Sequence, residues 1–160
     1  MIDTLKNTGF RTVRIPVTWH NHVTDDGNGP VISEAWLDRV QEVVDYAYDN
    51  GMYVILNTHH DNTANIEGEG GYYPDTAHAE ESDRYIRGIW TQVAERFKDY
   101  DEHLIFESLN EPRLAGTDYE WNFNAGVAEC KDAAGSINRL NQLFVDTVRA
   151  TGGNLSLIHI

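Results

Sequence analysis

Short apolar runs alternate along this chain with longer segments whose apolar residues recur at helical spacing. Three runs have the length of buried strands: residues 12–17, 52–57 and 104–109. Three segments carry the helical repeat: residues 37–47, 85–97 and 137–148. Ser33 is a suitable N-cap for the first of these helices, and Gly51 follows its end. No run shows the in–out alternation of a half-solvated antiparallel sheet, so the pattern predicts an α/β fold with parallel strands joined by helical crossovers.

Two α/β architectures fit this pattern, an open doubly wound sheet and a closed barrel. An open nucleotide-binding sheet usually carries a glycine-rich turn after its first strand, and the segment after Val17 has none. Polar groups instead accompany every predicted strand: Arg14 with Trp19, then His59, His60 and Asp61, then Asn110 and Glu111. Polar groups at three successive strand ends favour the barrel, where the carboxyl rim carries the active site.

The third predicted strand ends in residues suited to acid–base chemistry. Asn110 and Glu111 close the apolar run, and Pro112 stops it because proline cannot donate a ladder hydrogen bond. The alternative is a strand that merely ends in polar residues. Neighbouring side chains on a strand face opposite ways, so both groups reach one cleft only if the strand ends or bulges here.

Other candidate residues also leave alternatives open. Arg14 is either a site residue or a buried structural arginine paired with Glu107. A second alternative makes His59, His60 and Asp61 a metal site, because imidazole and carboxylate are common zinc ligands. Adjacent histidines on a strand are expected to face opposite sides, which argues against a shared metal. The aromatic candidates for a flat apolar binding surface are Trp19, Tyr72 and Tyr73, although the tyrosines are equally suited to packing their loop onto the barrel.

Charge and composition exclude some partners. The formal net charge is −14, which argues against nucleic acid and anionic membrane surfaces but is compatible with a neutral polysaccharide. No apolar run approaches the 18 or so residues of a transmembrane helix. Cys130 is the single cysteine, so an internal disulfide is excluded. The chain contains no repeat, low-complexity tract or linker and is expected to belong to one domain.

Three motifs in this order resemble glycoside hydrolase family 5, the large cellulase family. They are Arg14-Ile-Pro16, Asn57-Thr-His-His-Asp61 and Asn110-Glu-Pro112. The resemblance extends to about Gly153, and within the family the chain resembles bacterial endo-β-1,4-glucanases most. It implies an incomplete (β/α)8 TIM barrel, with these three strands as strands two to four of eight. Residues 1–153 are therefore expected to be a partial catalytic barrel.

The resemblance also implies roles for individual residues. Glu111 is expected to be the general acid/base of a retaining glycosidase, and Asn110 to bind the sugar 2-hydroxyl. Arg14 is expected to support the nucleophile carboxylate, and His59 to line the same subsite with His60 beside it. Family members often contact sugar where Trp19 and His22 lie. The resemblance implies no cofactor or metal, a monomeric full-length enzyme, and secretion.

Parts of the implied barrel are not expected in this chain. Such a barrel takes about 250 residues, and the opening residues resemble the end of a helix, so the first strand and the nucleophile glutamate of strand seven are expected to be missing. Residues 154–160 are expected to be a non-native tail, because Leu155-Ser-Leu-Ile-His-Ile160 resembles a translated transposon-end sequencing adapter. The alternative is a short native strand.

The expected function is therefore that of a fragment of a β-1,4-glucan hydrolase that is inactive by itself. One alternative keeps the clan and changes the substrate to mannan, xyloglucan or mixed-linkage glucan. Another is a non-catalytic carbohydrate-binding or barrel-assembly fragment. An open sheet edge in such a fragment favours aggregation over stable folding.

Overall fold

The computed structural model describes residues 2–62, 71–153 and 156–158. Its helices are α1 (Ile2–Asn7), α2 (Glu34–Tyr48), α3 (Ala79–Arg96) and α4 (Ala128–Ala150). Its strands are β1 (Thr12–Ile15), β2 (Val23–Asp25), β3 (Pro30–Ile32), β4 (Tyr53–Asn57), β5 (Leu104–Glu107) and β6 (Ser156–Ile158). A 3₁₀ turn covers His20–His22. Among these helices, none combines the length and apolar character needed to cross a membrane.

The main sheet of the described residues is parallel and runs β1–β4–β5–β6. Each strand therefore lies beside the one that precedes it in this sheet, without the reversal of order that a doubly wound sheet contains. Ile55 pairs with Arg14 on one side and with Ile105 on the other, so the strands are closely in register. The predicted α/β fold with parallel strands is confirmed, and its strand order is that of an arc of a barrel.

Helices α2, α3 and α4 bury most of the apolar residues that the helical repeat singled out, and Val43, Ile137 and Leu143 are half-buried. Trp90 of α3 is fully buried and joins three elements, because its ring lies 5.2 Å from Phe106 in β5 and 4.6 Å from Phe144 in α4. Strand β5 carries buried side chains on both faces of the sheet, which explains its continuous apolar sequence. This core holds the carboxyl ends of the strands in fixed relative positions.

A two-stranded antiparallel hairpin was missed by the sequence analysis. Strands β2 and β3 pair from Val23–Ile32 to Asp25–Pro30 and are too short for alternation to be visible in the sequence. The hairpin rests on α3, where Gln92 accepts a hydrogen bond from the Ile32 N–H at 3.0 Å and donates to the Pro30 carbonyl at 2.8 Å. The hairpin thereby fixes the path of the long connection between β1 and α2.

The end of the chain contains a strand in the structure. Ser156–Ile158 pairs in parallel with β5, from Ile105–Ser156 to Glu107–Ile158. This geometry matches the alternative of a short strand, whereas the non-native origin of residues 154–160 stays a prediction. The remaining residues of that predicted tail lie outside the described residues: Asn154, Leu155, His159 and Ile160.

Candidate active site

Arg14 and Asn110 meet at the carboxyl edge of the sheet. Arg14 Nε donates to Glu107 Oε2 at 2.7 Å and Nη2 donates to Oε1 at 3.0 Å, which makes a two-bonded ion pair. The same Nη2 donates to Asn110 Oδ1 at 2.8 Å. Glu107 is 1% exposed, so the structural pairing considered for Arg14 is present. It does not exclude a site role, because the pair holds Arg14 against Asn110.

The bond from Arg14 also orients the Asn110 amide. A guanidinium can only donate, so the amide oxygen must face Arg14 and the amide nitrogen must face the other way. Asn110 is half-buried at this edge. It therefore presents a fixed N–H donor, which is the group needed to bind a sugar hydroxyl.

Glu111 follows in an exposed position with an unusual backbone. Its φ is +44°, and it is the one non-glycine residue with a positive φ among residues 2–62, 71–153 and 156–158. The β5 ladder ends at Glu107, so regular strand alternation no longer applies at Asn110 and Glu111. The strand end that the sequence pattern required is therefore present before both residues.

His59 and His60 lie at the end of the neighbouring strand β4. Their rings meet edge to face, with centroids 4.4 Å apart. The expectation that they face opposite sides was wrong, because β4 ends at Asn57 and the two histidines lie beyond it. Burial, together with the His60 and Arg14 charges, lowers the pKa of His59, while Glu107 and Glu111 act in the opposite direction. His59 is therefore electrostatically coupled to both carboxylates.

Asn57 determines which nitrogen of His59 accepts a hydrogen bond. Its Oδ1 accepts from the Val17 N–H at 3.2 Å, so its Nδ2 is the donor to His59 Nδ1, 3.1 Å away. Neutral His59 then carries its proton on Nε2. An imidazole N–H held in this way is suited to donate to a ligand hydroxyl.

Asp61 is a structural carboxylate in this arrangement. It is 1% exposed, and its Oδ1 accepts from the backbone N–H groups of Trp19 and His20, each at 2.9 Å. The same oxygen lies 2.8 Å from His20 Nδ1. Those bonds account for Asp61 without a metal ion. In the described part of the chain, the cluster with metal-like spacing is Asp101, Glu102 and His103, at the amino end of β5 and so at the opposite edge.

Three aromatic candidates are corrected by their burial. Trp19 is fully buried and its Nε1 donates to the Asn57 carbonyl at 3.1 Å, so it offers no face to a sugar. Tyr72 and Tyr73 are buried as well, which agrees with the alternative that they pack their loop. His22 remains exposed, with its ring stacked on Trp36 at 3.7 Å.

The loop after β5 contains residues that the sequence analysis missed. Trp121 is 73% exposed, and the Arg113 guanidinium lies 4.3 Å from its ring centroid. Arg113 Nη1 donates to Glu120 at 2.9 Å, and its backbone N–H donates to Asn62 Oδ1 at 2.8 Å. A signal existed in Tyr119, Trp121 and Phe123, three aromatic residues that alternate with polar residues in a segment that the structure leaves as a loop. The bonds of Asn62 and Arg113 had no sequence signal.

Polar side chains thus gather at the carboxyl rim of parallel strands that follow one another in order. This arrangement is that of the (β/α)8-barrel enzymes, and it is the class to which the fold and the rim assign the chain.

The chain belongs to the cellulase family, glycosyl hydrolase family 5, whose model matches residues 1–160. It is 51% identical over 154 residues to Endoglucanase A of Ruminococcus albus, a match that covers 96% of the chain and 39% of that enzyme. It is 48% identical over 156 residues to Endoglucanase A of Clostridium longisporum, covering 96% of the chain and 27% of that enzyme. The chain therefore spans well under half the length of these relatives.

Solved structures agree with this family. A family 5 lichenase from Caldicellulosiruptor sp. F32, determined as an E188Q mutant with cellotetraose, has a TM-score of 0.91 and 55% identity. That match covers 99% of this chain and 41% of the lichenase. A broad-specificity endoglucanase from Ruminococcus champanellensis with bound cellotriose has a TM-score of 0.86 and 46% identity, covering 99% and 43% of the two chains. The fold is therefore part of a TIM barrel, as predicted.

Proposed function

We propose that the complete protein is a retaining endo-β-1,4-glucanase acting on cellulose or a related β-glucan, with Glu111 as general acid/base. The observation that carries the proposal is the placement of Asn110 and Glu111 at the rim, with Arg14 bonded to Asn110. Membership of the cellulase family and relatives named endoglucanase and lichenase support it.

Glu111 has to protonate the glycosidic oxygen, because an unprotonated sugar oxygen is a poor leaving group. In a retaining mechanism the same residue then takes a proton from the water that releases the covalent intermediate. Asn110 would donate from its Nδ2 to the sugar 2-hydroxyl. Hydrogen bonds to that hydroxyl strengthen in the transition state and contribute several kcal/mol.

The nucleophile is proposed to be a second carboxylate outside this chain, about 5 Å from Glu111 as retention requires. Arg14 uses Nε and Nη2 for Glu107 and Asn110, so its Nη1 would face that carboxylate. A nearby guanidinium lowers the pKa of a carboxyl group and keeps it ionised. His59 and His60 would line the same subsite, and His22 would contact sugar from the loop after β1.

Trp121 replaces the buried aromatic candidates as the proposed sugar platform. It is exposed, and Arg113 covers one region of its ring at 4.3 Å. An indole face is a flat apolar surface suited to the axial C–H groups of a sugar ring. Its place in the loop after β5, ten residues beyond Glu111, assigns it to the same rim.

The substrate class and cellular location are also proposals. Related structures contain cellotetraose and cellotriose, and several are described as broad-specificity endoglucanases, which supports a β-glucan with more than one linkage or decoration. Mannan and xyloglucan are the alternative substrates. The protein is proposed to act outside the cell, since polymeric glucan is too large to be taken up intact. It is also proposed to be a monomer.

The test uses the complete reading frame that encodes this chain. Wild-type protein is expected to hydrolyse carboxymethylcellulose and barley β-glucan in preference to mannan, with retained anomeric configuration by NMR. Glu111→Gln should lower kcat/KM by about 10²- to 10⁴-fold, because the proton donor is lost. Glu102→Gln, at the opposite edge of the sheet, is the matched control and should leave kcat/KM unchanged.

Two results would overturn the proposal. One is a Glu111→Gln enzyme with activity close to that of wild type, and the other is inversion at the anomeric carbon. The 160-residue chain by itself provides a further arm, in which no hydrolysis is expected. Hydrolysis by this chain that Glu111→Gln abolishes would place the nucleophile within it.

A further inference from the structure

Glu111 occupies a backbone conformation that L-residues rarely adopt. Its φ of +44° lies in the left-handed region, where a residue other than glycine persists only if its surroundings hold it there. Pro112 follows Glu111 directly, and the proline ring fixes the φ of Pro112, so the backbone after Glu111 is restricted as well. The structure must therefore contain contacts that keep the flanking backbone in place.

The contact on the N-terminal side comes from β1. Arg14 donates to Asn110 Oδ1 at 2.8 Å, and the ion pair with buried Glu107 fixes Arg14 itself. This contact is part of the site already described. It restrains the residue directly before Glu111 and leaves the loop after it to be held by something else.

The contact on the C-terminal side comes from Asn62. Its Oδ1 accepts a hydrogen bond from the Arg113 backbone N–H at 2.8 Å, two residues after Glu111. Because the Arg113 N–H lies in a loop, no helix or strand hydrogen-bond pattern fixes its position. The Asn62 side chain therefore fixes the path of the chain at Arg113.

Asn62 is itself held rigidly. It forms an isolated bridge with Tyr72, and the Tyr72 N–H donates to the carbonyl of Asp61 at 2.9 Å. The Asp61 carboxylate is buried and bonded to the backbone of Trp19 and His20. Asn62 thus connects the Glu111 loop to the loops after β1 and β4.

We propose that Asn62 is a positioning residue for Glu111, whose amide oxygen fixes the loop after the acid/base so that its carboxyl group stays in line with the glycosidic oxygen. This inference rests on the proposed function of Glu111. The same bond sets Arg113, whose guanidinium lies against Trp121 and bonds Glu120, so Asn62 also determines where the proposed sugar platform lies.

The test compares Asn62→Leu with Asn62→Asp in the complete protein. Leucine has the same branched arrangement of side-chain heavy atoms but no acceptor, whereas aspartate keeps an oxygen for the Arg113 N–H. Asn62→Leu is expected to lower kcat on β-glucan about 10- to 100-fold with a smaller change in KM, because small displacements of a catalytic group reduce rate strongly. Asn62→Asp should recover most of that loss.

A leaving group that needs no proton separates positioning from general damage. The burst rate on 2,4-dinitrophenyl cellobioside should differ by less than about threefold between Asn62→Leu and wild type, because its departure does not depend on Glu111. Asn124→Leu is the matched control, since Asn124 Oδ1 also accepts a backbone N–H, from Gly126 at 2.9 Å in the same loop. That variant should retain wild-type kcat on both substrates.

Equal losses on both substrates, or no loss on either, would overturn the positioning role. Hydrogen–deuterium exchange gives a readout that does not depend on activity. Asn62→Leu should accelerate exchange of the Arg113 amide about tenfold or more, with Asn62→Asp close to wild type. Unchanged exchange would refute the contact itself, whereas faster exchange in a protein without glycosidase activity would refute only the proposed function.

Discussion

One side chain at the rim, Arg14, contacts both a buried carboxylate and a candidate site residue. Arg14 bonds Glu107 and Asn110 at once, so the ion pair that stabilises the sheet edge also orients the amide proposed to meet sugar. Glu107 is the buried partner of this pair, whereas the Arg14 side chain is 36% exposed, so removing Arg14 would leave a buried carboxylate without its partner. His59 is linked to this network, because its pKa responds to Arg14, Glu107 and Glu111 together.

The titration of His59 is a testable property at this scale. Burial is the largest cause that lowers the pKa of His59 below its ordinary value of 6.5, so the folded chain binds less proton than the unfolded chain near that pH. The contribution of His59 to the free energy of unfolding is then complete above pH 6.5 and declines as pH falls below it. NMR titration should show a midpoint below 6.5.

A paired variant checks the same linkage by urea unfolding. His59→Gln should reduce the loss in free energy of unfolding between pH 7.5 and 5.5. His103→Gln, at the opposite edge of the sheet, is the control and should leave the NMR titration midpoint of His59 unchanged. A His59 midpoint above 6.5 would contradict the prediction.

The position of the β2–β3 hairpin depends on a close contact with helix α3. The β2–β3 hairpin approaches α3 so closely that a Cβ placed on Gly88 would lie 2.4 Å from Pro30 Cγ. Gln92, one turn later, bonds the backbone of the same hairpin. Gly88 is therefore required by packing, although glycine in mid-helix is intrinsically unfavourable.

Two glycine-to-alanine changes in helices distinguish packing from helix propensity. Gly88→Ala should lower the free energy of unfolding by about 1–3 kcal/mol, because the added methyl group collides with the rigid Pro30 ring. Gly135→Ala in α4 is the matched control, since no atom lies within 4 Å of its added Cβ. It should stabilise the chain by about 0.5–1 kcal/mol. Similar stabilisation by both changes in urea denaturation would disprove the close contact.

The whole molecule is held together by a core shared between the sheet and its helices. Trp90 contacts both Phe106 and Phe144, so one indole ring joins β5, α3 and α4. Strand β5, which leads to the candidate acid/base, is thereby packed against helices α3 and α4. Displacing β5 would move Glu107, Asn110 and Glu111 together.

Replacing Trp90 should therefore have a large effect. Trp90→Ala is expected to lower the free energy of unfolding by about 3–5 kcal/mol, or to unfold the chain outright, because it leaves a cavity at the junction of three elements. Trp121→Ala removes an equally large but exposed side chain and should change stability by no more than about 0.5 kcal/mol. Comparable losses for the two variants, measured by urea denaturation, would show that the core is not organised around Trp90.

Much of the fold and part of the candidate site followed from local sequence patterns. The parallel strands and the three long helices were predicted because continuous apolar runs and helical repeats are properties of adjacent residues. A strand end before Asn110 and Glu111 was predicted because Pro112 limits the backbone locally, but β5 ends two residues earlier than the predicted Leu109, at Glu107. The hairpin was missed because three-residue strands contain too few positions to show a period.

The amino-acid sequence alone determined the α/β class, the order of the strands and the chemical types of residue at their carboxyl ends. Only the tertiary structure decided that Trp19 is covered, that Trp121 is exposed, and that Asn62 contacts the Glu111 loop. Periodicity reports which face of an element is apolar, but the burial of a loop residue depends on which distant segments fold over it. Asn62 and Arg113 are 51 positions apart, and their contact exists only because two parallel strands bring their ends together.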